Sequence, residues 1–194
     1  MAALLIAIHF TPFYQIKGQS ECNEQIPDMF WESFSQESQE SILNNHSIPE
    51  DIREFYYGSW SLSDDSRSFN LLDSLTVPFT RDNRALYLFL FCKICKECDG
   101  VISESIGSYC MNLLYSNPEY VLTYLYYNKD MFLCFSEYLR FEIFADDDTT
   151  LIPEDFISFK NQLHANHFHD QRAVIVRREL LQSILTPAIE EKRQ

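Results

Sequence analysis

Glycine is nearly missing from this sequence, with four residues in 194. A sandwich or barrel needs a turn residue about every 8 to 12 positions, so the scarcity argues against an all-β chain and towards helices. It also leaves no glycine-rich phosphate loop, which sets nucleotide chemistry aside. Positive charge is scarce too: 15 Lys and Arg stand against 29 Asp and Glu, a net charge of −14 spread along the chain. A field of that sign repels phosphate backbones and excludes nucleic acid as the expected partner. Arg172, Arg177 and Arg178 are the local exception and read as the solvated face of a helix. There is no HExxH motif, no GxSxG elbow and, past the N-terminus, no charge-free window of 18 residues. Zincin chemistry, α/β-hydrolase chemistry and a transmembrane span lose their usual signals.

What the chain does have is aromatic bulk. Sixteen Phe, eleven Tyr and two Trp within a 46% hydrophobic composition are enough for one sizeable core. The first twenty residues, MAALLIAIHFTPFYQIKGQS, are apolar from Ala2 to Ile8 and end in Gly18 and Ser20, small residues spaced as before a cleavage at Glu21. They resemble a secretory signal that lacks its basic opening, interrupted by His9 and Pro12. The expectation is an exported protein, periplasmic or secreted, with residues 21–194 as one helical domain. The alternative is a folded first element in a cytoplasmic protein.

The helices follow from caps and periodicity. A polar helix with a narrow apolar stripe is expected over 27–45, and a short one over 49–58, where Pro49 opens it, Glu50 and Asp51 suit its first turn and Gly58 stops it. Residues 59–79 are rich in Ser and Asp and read as a surface loop with one helical turn near Phe69–Ser74. Thr80 is the expected cap of a helix closed by Asp99 and Gly100, Ser103 the cap of the next, and Asn117 with Pro118 the start of another. Further helices are expected over 130–145, from Pro153, and from Asp170 to about Thr186. The fold class is therefore all-α: an antiparallel multi-helix bundle or a short stack of helical hairpins. Its rhythm resembles HEAT or armadillo repeats in style, without a self-similar period.

Candidate chemistry is confined to a few clusters. FLFCKICKECDG spaces Cys92, Cys95 and Cys98 three apart. A ferredoxin-type run would need its fourth thiolate at position 102, which is Ile102, and a zinc knuckle does not sit inside a helical pattern. Two readings stand above metal: buried core cysteines, or a disulfide. If the helices on either side of residues 101–102 fold back on each other, Cys110 comes within one turn of Cys92 and Cys95. His164, His167, His169 and Asp170 are the metal-ligand candidates, set against a polar helix end and linker. ADDDTTLIPED fails as a calcium loop because position 6 is Leu151 and position 12 is Ile157. Tyr120, Tyr124 and Tyr127 recur at helical spacing as a candidate interaction face, set against packing at the rim of the core. No cofactor is implied. The function expected is non-catalytic: a protein-binding or structural module facing another protein or an envelope component. The alternative is a metal- or thiol-dependent enzyme or redox protein using the cysteines or histidines.

Overall fold

The structure is a computed structural model and describes residues 28–144 and 152–191. The segment behind the export expectation, Cys22 and the Asp146–Asp148 run lie outside the described residues. Among those residues there are nine α-helices and no strand, as expected for an all-α bundle. They are α1 (Gln36–Leu43), α2 (Glu50–Tyr56), α3 (Ser66–Leu75), α4 (Arg84–Glu97), α5 (Gly100–Ser116), α6 (Pro118–Tyr127), α7 (Lys129–Phe144), α8 (Glu154–Ala165) and α9 (Gln171–Glu191). No described helix is long and apolar enough to cross a membrane.

The centre is α4. From Ala85 to Cys95 every side chain is buried except half-buried Phe89 and Lys93. A helix apolar on all sides must be covered on all sides. Helices α3 and α7 and a 3₁₀ turn at Trp31–Ser33 pack on it. Phe91 meets Phe135 of α7 edge to face at 5.9 Å, each ring fully buried, and burial of such a side chain contributes roughly 1.5–3 kcal/mol. Lys93 lays its stem inward and holds its ammonium 5.2 Å from the Phe55 ring centre.

Several expected boundaries are corrected. The helix expected over 27–45 is broken at Phe34, whose extended backbone separates the 3₁₀ turn from α1, and Ser35 caps α1 by accepting from Ser38 N at 3.2 Å. The loop expected over 59–79 contains a full helix, α3. Asp65 caps it by accepting from Ser68 N, and Ser68, Leu71, Leu72 and Leu75 form its buried stripe. Ser68 made that stripe look polar, yet its hydroxyl is satisfied inside by Ser63 N at 3.0 Å. Thr80 does not cap α4; instead its N–H donates to Asn83 Oδ1, and the helix starts at Arg84. Gly100 opens α5 rather than closing α4, taking φ +57°, and Ser103 lies inside the first turn, donating to the Gly100 carbonyl. Helix α9 passes Thr186 and runs to Glu191, the last described residue. Gly58 does end α2, with Ser59 N donating to Glu54 O and Gly58 N to Phe55 O in a Schellman arrangement.

Single polar side chains join the helices end to end. Asn117, between α5 and α6, accepts from Phe79 N at 2.6 Å and donates to Val77 O at 3.0 Å, which straps the chain entering α4. Glu119 in the first turn of α6 accepts from the N–H groups of His169 and Asp170, so α6 anchors the start of α9. Helices α5 and α7 cross at Gly107, where an added Cβ would sit 2.7 Å from both the Tyr138 carbonyl oxygen and Glu142 Cβ. Backbone cannot yield there as a flexible side chain would. Gly107→Ala is expected to destabilise the fold by about 1–3 kcal/mol, read as a lower urea midpoint at unchanged m-value. An unaltered midpoint would mean that the helices separate at no cost.

Candidate functional site

Five described cysteines, all free thiols, meet where α4, α5 and α7 converge. The Cys95 thiol lies within hydrogen-bonding reach of both Cys110 and Cys134. Its backbone carbonyl also accepts from the Tyr138 hydroxyl at 3.0 Å and from the Cys134 thiol at 3.8 Å, and Cys98 Sγ lies 3.6 Å from the same tyrosine oxygen. Of the pairs expected from sequence, the fold brings Cys110 to Cys95, while Cys92 points to the Tyr124 hydroxyl. Cys134 belongs to the cluster as well. Nothing in the sequence ties it there, because it arrives from α7 through the crossing at Gly107.

This environment suppresses thiolate. Burial raises the Cys92 pKa from 9.0 to about 12, and burial also raises those of Cys110 and Cys98. Cys134 is raised by its bond to Cys95 and by burial. Nucleophilic and redox thiols need the opposite shift.

The histidine cluster disperses. His164 is at the exposed end of α8, while His169 and Asp170 are held through their backbone N–H groups by Glu119. The Asp170 carboxylate takes a forked contact from Arg172. Among the described residues no three His, Cys, Asp or Glu side chains converge as a metal ion requires.

The tyrosines are similarly engaged. Tyr124 is buried, Tyr120 stacks edge-on against Phe79 beneath the Arg84 guanidinium, and Tyr127 bonds to Arg172 and packs on Phe30. Burial raises the pKa of both Tyr120 and Tyr124. The three share a helix but do not share an open face.

A different surface is open. Helices α8 and α9 enclose a groove of about 380 Å³ floored by Phe156, Val174, Ile175, Leu181 and Leu185. Lys160, Arg177 and Arg178 line it, and no described carboxylate does. The Arg177 guanidinium sits 5.1 Å over the Phe168 ring and donates to Leu163 O at 3.4 Å, and its buried Nε has no partner. His164 also lines the groove, its pKa lowered by desolvation and by the charges of Arg177 and Lys160. The sequence signal for this groove was present but doubled. In α9 one stripe, Ala173, Val176, Leu180 and Ile184, is fully buried, and the groove residues form a second stripe beside it. Periodicity alone does not say which stripe faces the core.

Against known proteins, no family model matches the chain, and neither does any curated protein or solved structure.

A pKa raised in the fold means that the neutral thiol stabilises the protein fully below pH 9 and that this contribution is lost as pH rises towards 12. Stability is expected to fall over that window, and Cys92→Ser, whose hydroxyl does not ionise there, is expected to fall less steeply. For protein kept reduced, peptide mapping after iodoacetamide at pH 7.5 should find Cys92, Cys95 and Cys110 unlabelled in folded protein and labelled in urea. Rapid labelling of any of the three in folded protein would contradict the burial argument.

Proposed function

We propose that the protein is a non-catalytic binding module that presents a helical surface to another protein, and that it is exported. The observation that carries the binding reading is the α8/α9 groove, an apolar floor with three cations and no described carboxylate, in a chain whose net charge is −14. Apolar surface beside charge of the chain's minority sign is what a complementary partner covers. The enzyme alternative draws no comparable support, because its thiols are held neutral and its histidines lie apart. Export rests on the apolar run Ala2–Ile8 and the small residues before Glu21. In an oxidising compartment a bridge from Cys95 would close onto Cys110 or Cys134, the two thiols within its reach.

A photo-cross-linking residue at Gln182 in the groove, introduced into the full chain in its native host, is expected to give one discrete protein adduct. The same residue at exposed Glu104 on α5 should not give it, and Lys160→Glu with Arg178→Glu should abolish it. Identical adducts from both positions, or none from Gln182, would sink the binding reading. Intact mass from the same host tests export separately: a chain beginning near Glu21 is expected, and a chain retaining Met1 would refute it.

A further inference from the structure

The groove has a shape as well as a charge. On α9 its lining includes Gln171, Val174, Ile175 and Arg178 at the i, i+3, i+4, i+7 spacing of one helical face, continued by Leu181 and Leu185, with Arg177 and Gln182 beside them. On α8 it falls at Phe156, Lys160 and His164, four apart. The two helical stripes form a trough that α8 walls over positions 156 to 164, about 12 Å, and that α9 carries from 171 to 185, about 21 Å or four helical turns, at 1.5 Å per residue. A trough of that length between two helices is what a third helix fills, with apolar anchors at i, i+3, i+4 and i+7.

Charge then selects the helix. Lys160, Arg177 and Arg178 accompany the floor with no described carboxylate to answer them, and Arg177 in addition keeps a buried unpaired Nε. A second copy of this chain docking by the same face would set these cations against themselves, so charge complementarity argues against it. We propose that the groove receives an amphipathic helix of about four turns from another protein, apolar on one face and flanked by Asp and Glu. This rests on the binding reading and names its partner class.

The overall field opposes such a ligand, since the chain carries −14. At physiological ionic strength the Debye length is about 8 Å, so distant acids are screened while the groove cations act at contact. That conflict makes the test stringent. Non-specific attraction would favour a basic helix, and only the groove would favour an acidic one.

The probes are two fluorescently labelled 18-residue peptides with the same leucine stripe, one with Glu on both flanks and the other with Lys. Binding to the full chain is followed by anisotropy in 0.15 M salt, with dodecanoate as a third probe. The acidic peptide is expected to bind one to one and at least tenfold more tightly than the basic one. In Lys160→Glu with Arg178→Glu, both exposed positions, that preference should be lost while circular dichroism and thermal midpoint stay unchanged. Val174→Ala with Leu185→Ala should weaken the acidic peptide without restoring the basic one. Equal binding, tighter binding of the basic peptide, no saturable binding, or saturation by dodecanoate alone would overturn the proposal. A cross-link from Gln182 together with any of those results would leave the binding reading standing and remove only the acidic helix.

Discussion

The all-round burial of α4 is the constraint on which the rest depends. Nine of its side chains between Ala85 and Cys95 are buried, so no single neighbour can cover them and the chain must surround the helix. This explains why the 3₁₀ turn carrying Trp31 is drawn in from one side, α3 from another and α7 from a third. It also explains the short links that follow. Only Cys98 and Asp99 separate α4 from α5, Asn117 alone separates α5 from α6, and Asn128 alone separates α6 from α7. Links so short hold consecutive helices at nearly fixed angles. From the α5–α6 junction, Asn117 and Glu119 bond to the backbone of the segments entering α4 and α9.

The thiol cluster is a consequence of that arrangement rather than a centre of its own. Cysteine packs as a small apolar side chain, and Cys92, Cys95 and Cys110 are buried in the core as such. Desolvation then acts on every thiol in the same direction, towards the neutral form. A spacing that suggests ligation in one dimension becomes, once coiled, a packing stripe. The same transformation takes the histidines apart, since α8 ends between them and Glu119 binds the backbone of the segment beyond.

The surface shows a different economy of charge. The chain carries an excess of carboxylates, yet three cations stand beside apolar side chains in the α8/α9 groove without a described acid. In sequence, Arg177 and Arg178 look like ordinary solvated charge. Their setting differs because Arg177 lies over Phe168 and its Nε is shut away from water, whereas a solvated arginine keeps every N–H hydrated.

The sequence by itself determined the helical class, most helix positions and the burial of the region around Cys92, because periodicity, caps and the shortage of glycine act locally. It did not determine α3, where Ser68 sits in an apolar stripe and finds its partner only when Ser63 folds over it. Nor did it determine the roles of Thr80, Gly100 and Ser103, each displaced by a neighbour better placed once the helices packed. Tertiary structure alone decided which of the two α9 stripes faces the core, that Cys134 joins Cys95, and that Tyr124 is buried while Lys160 and Arg178 line one groove. Those are contacts between residues far apart in the chain. Their energies depend on shape and desolvation between helices, which no single helix encodes.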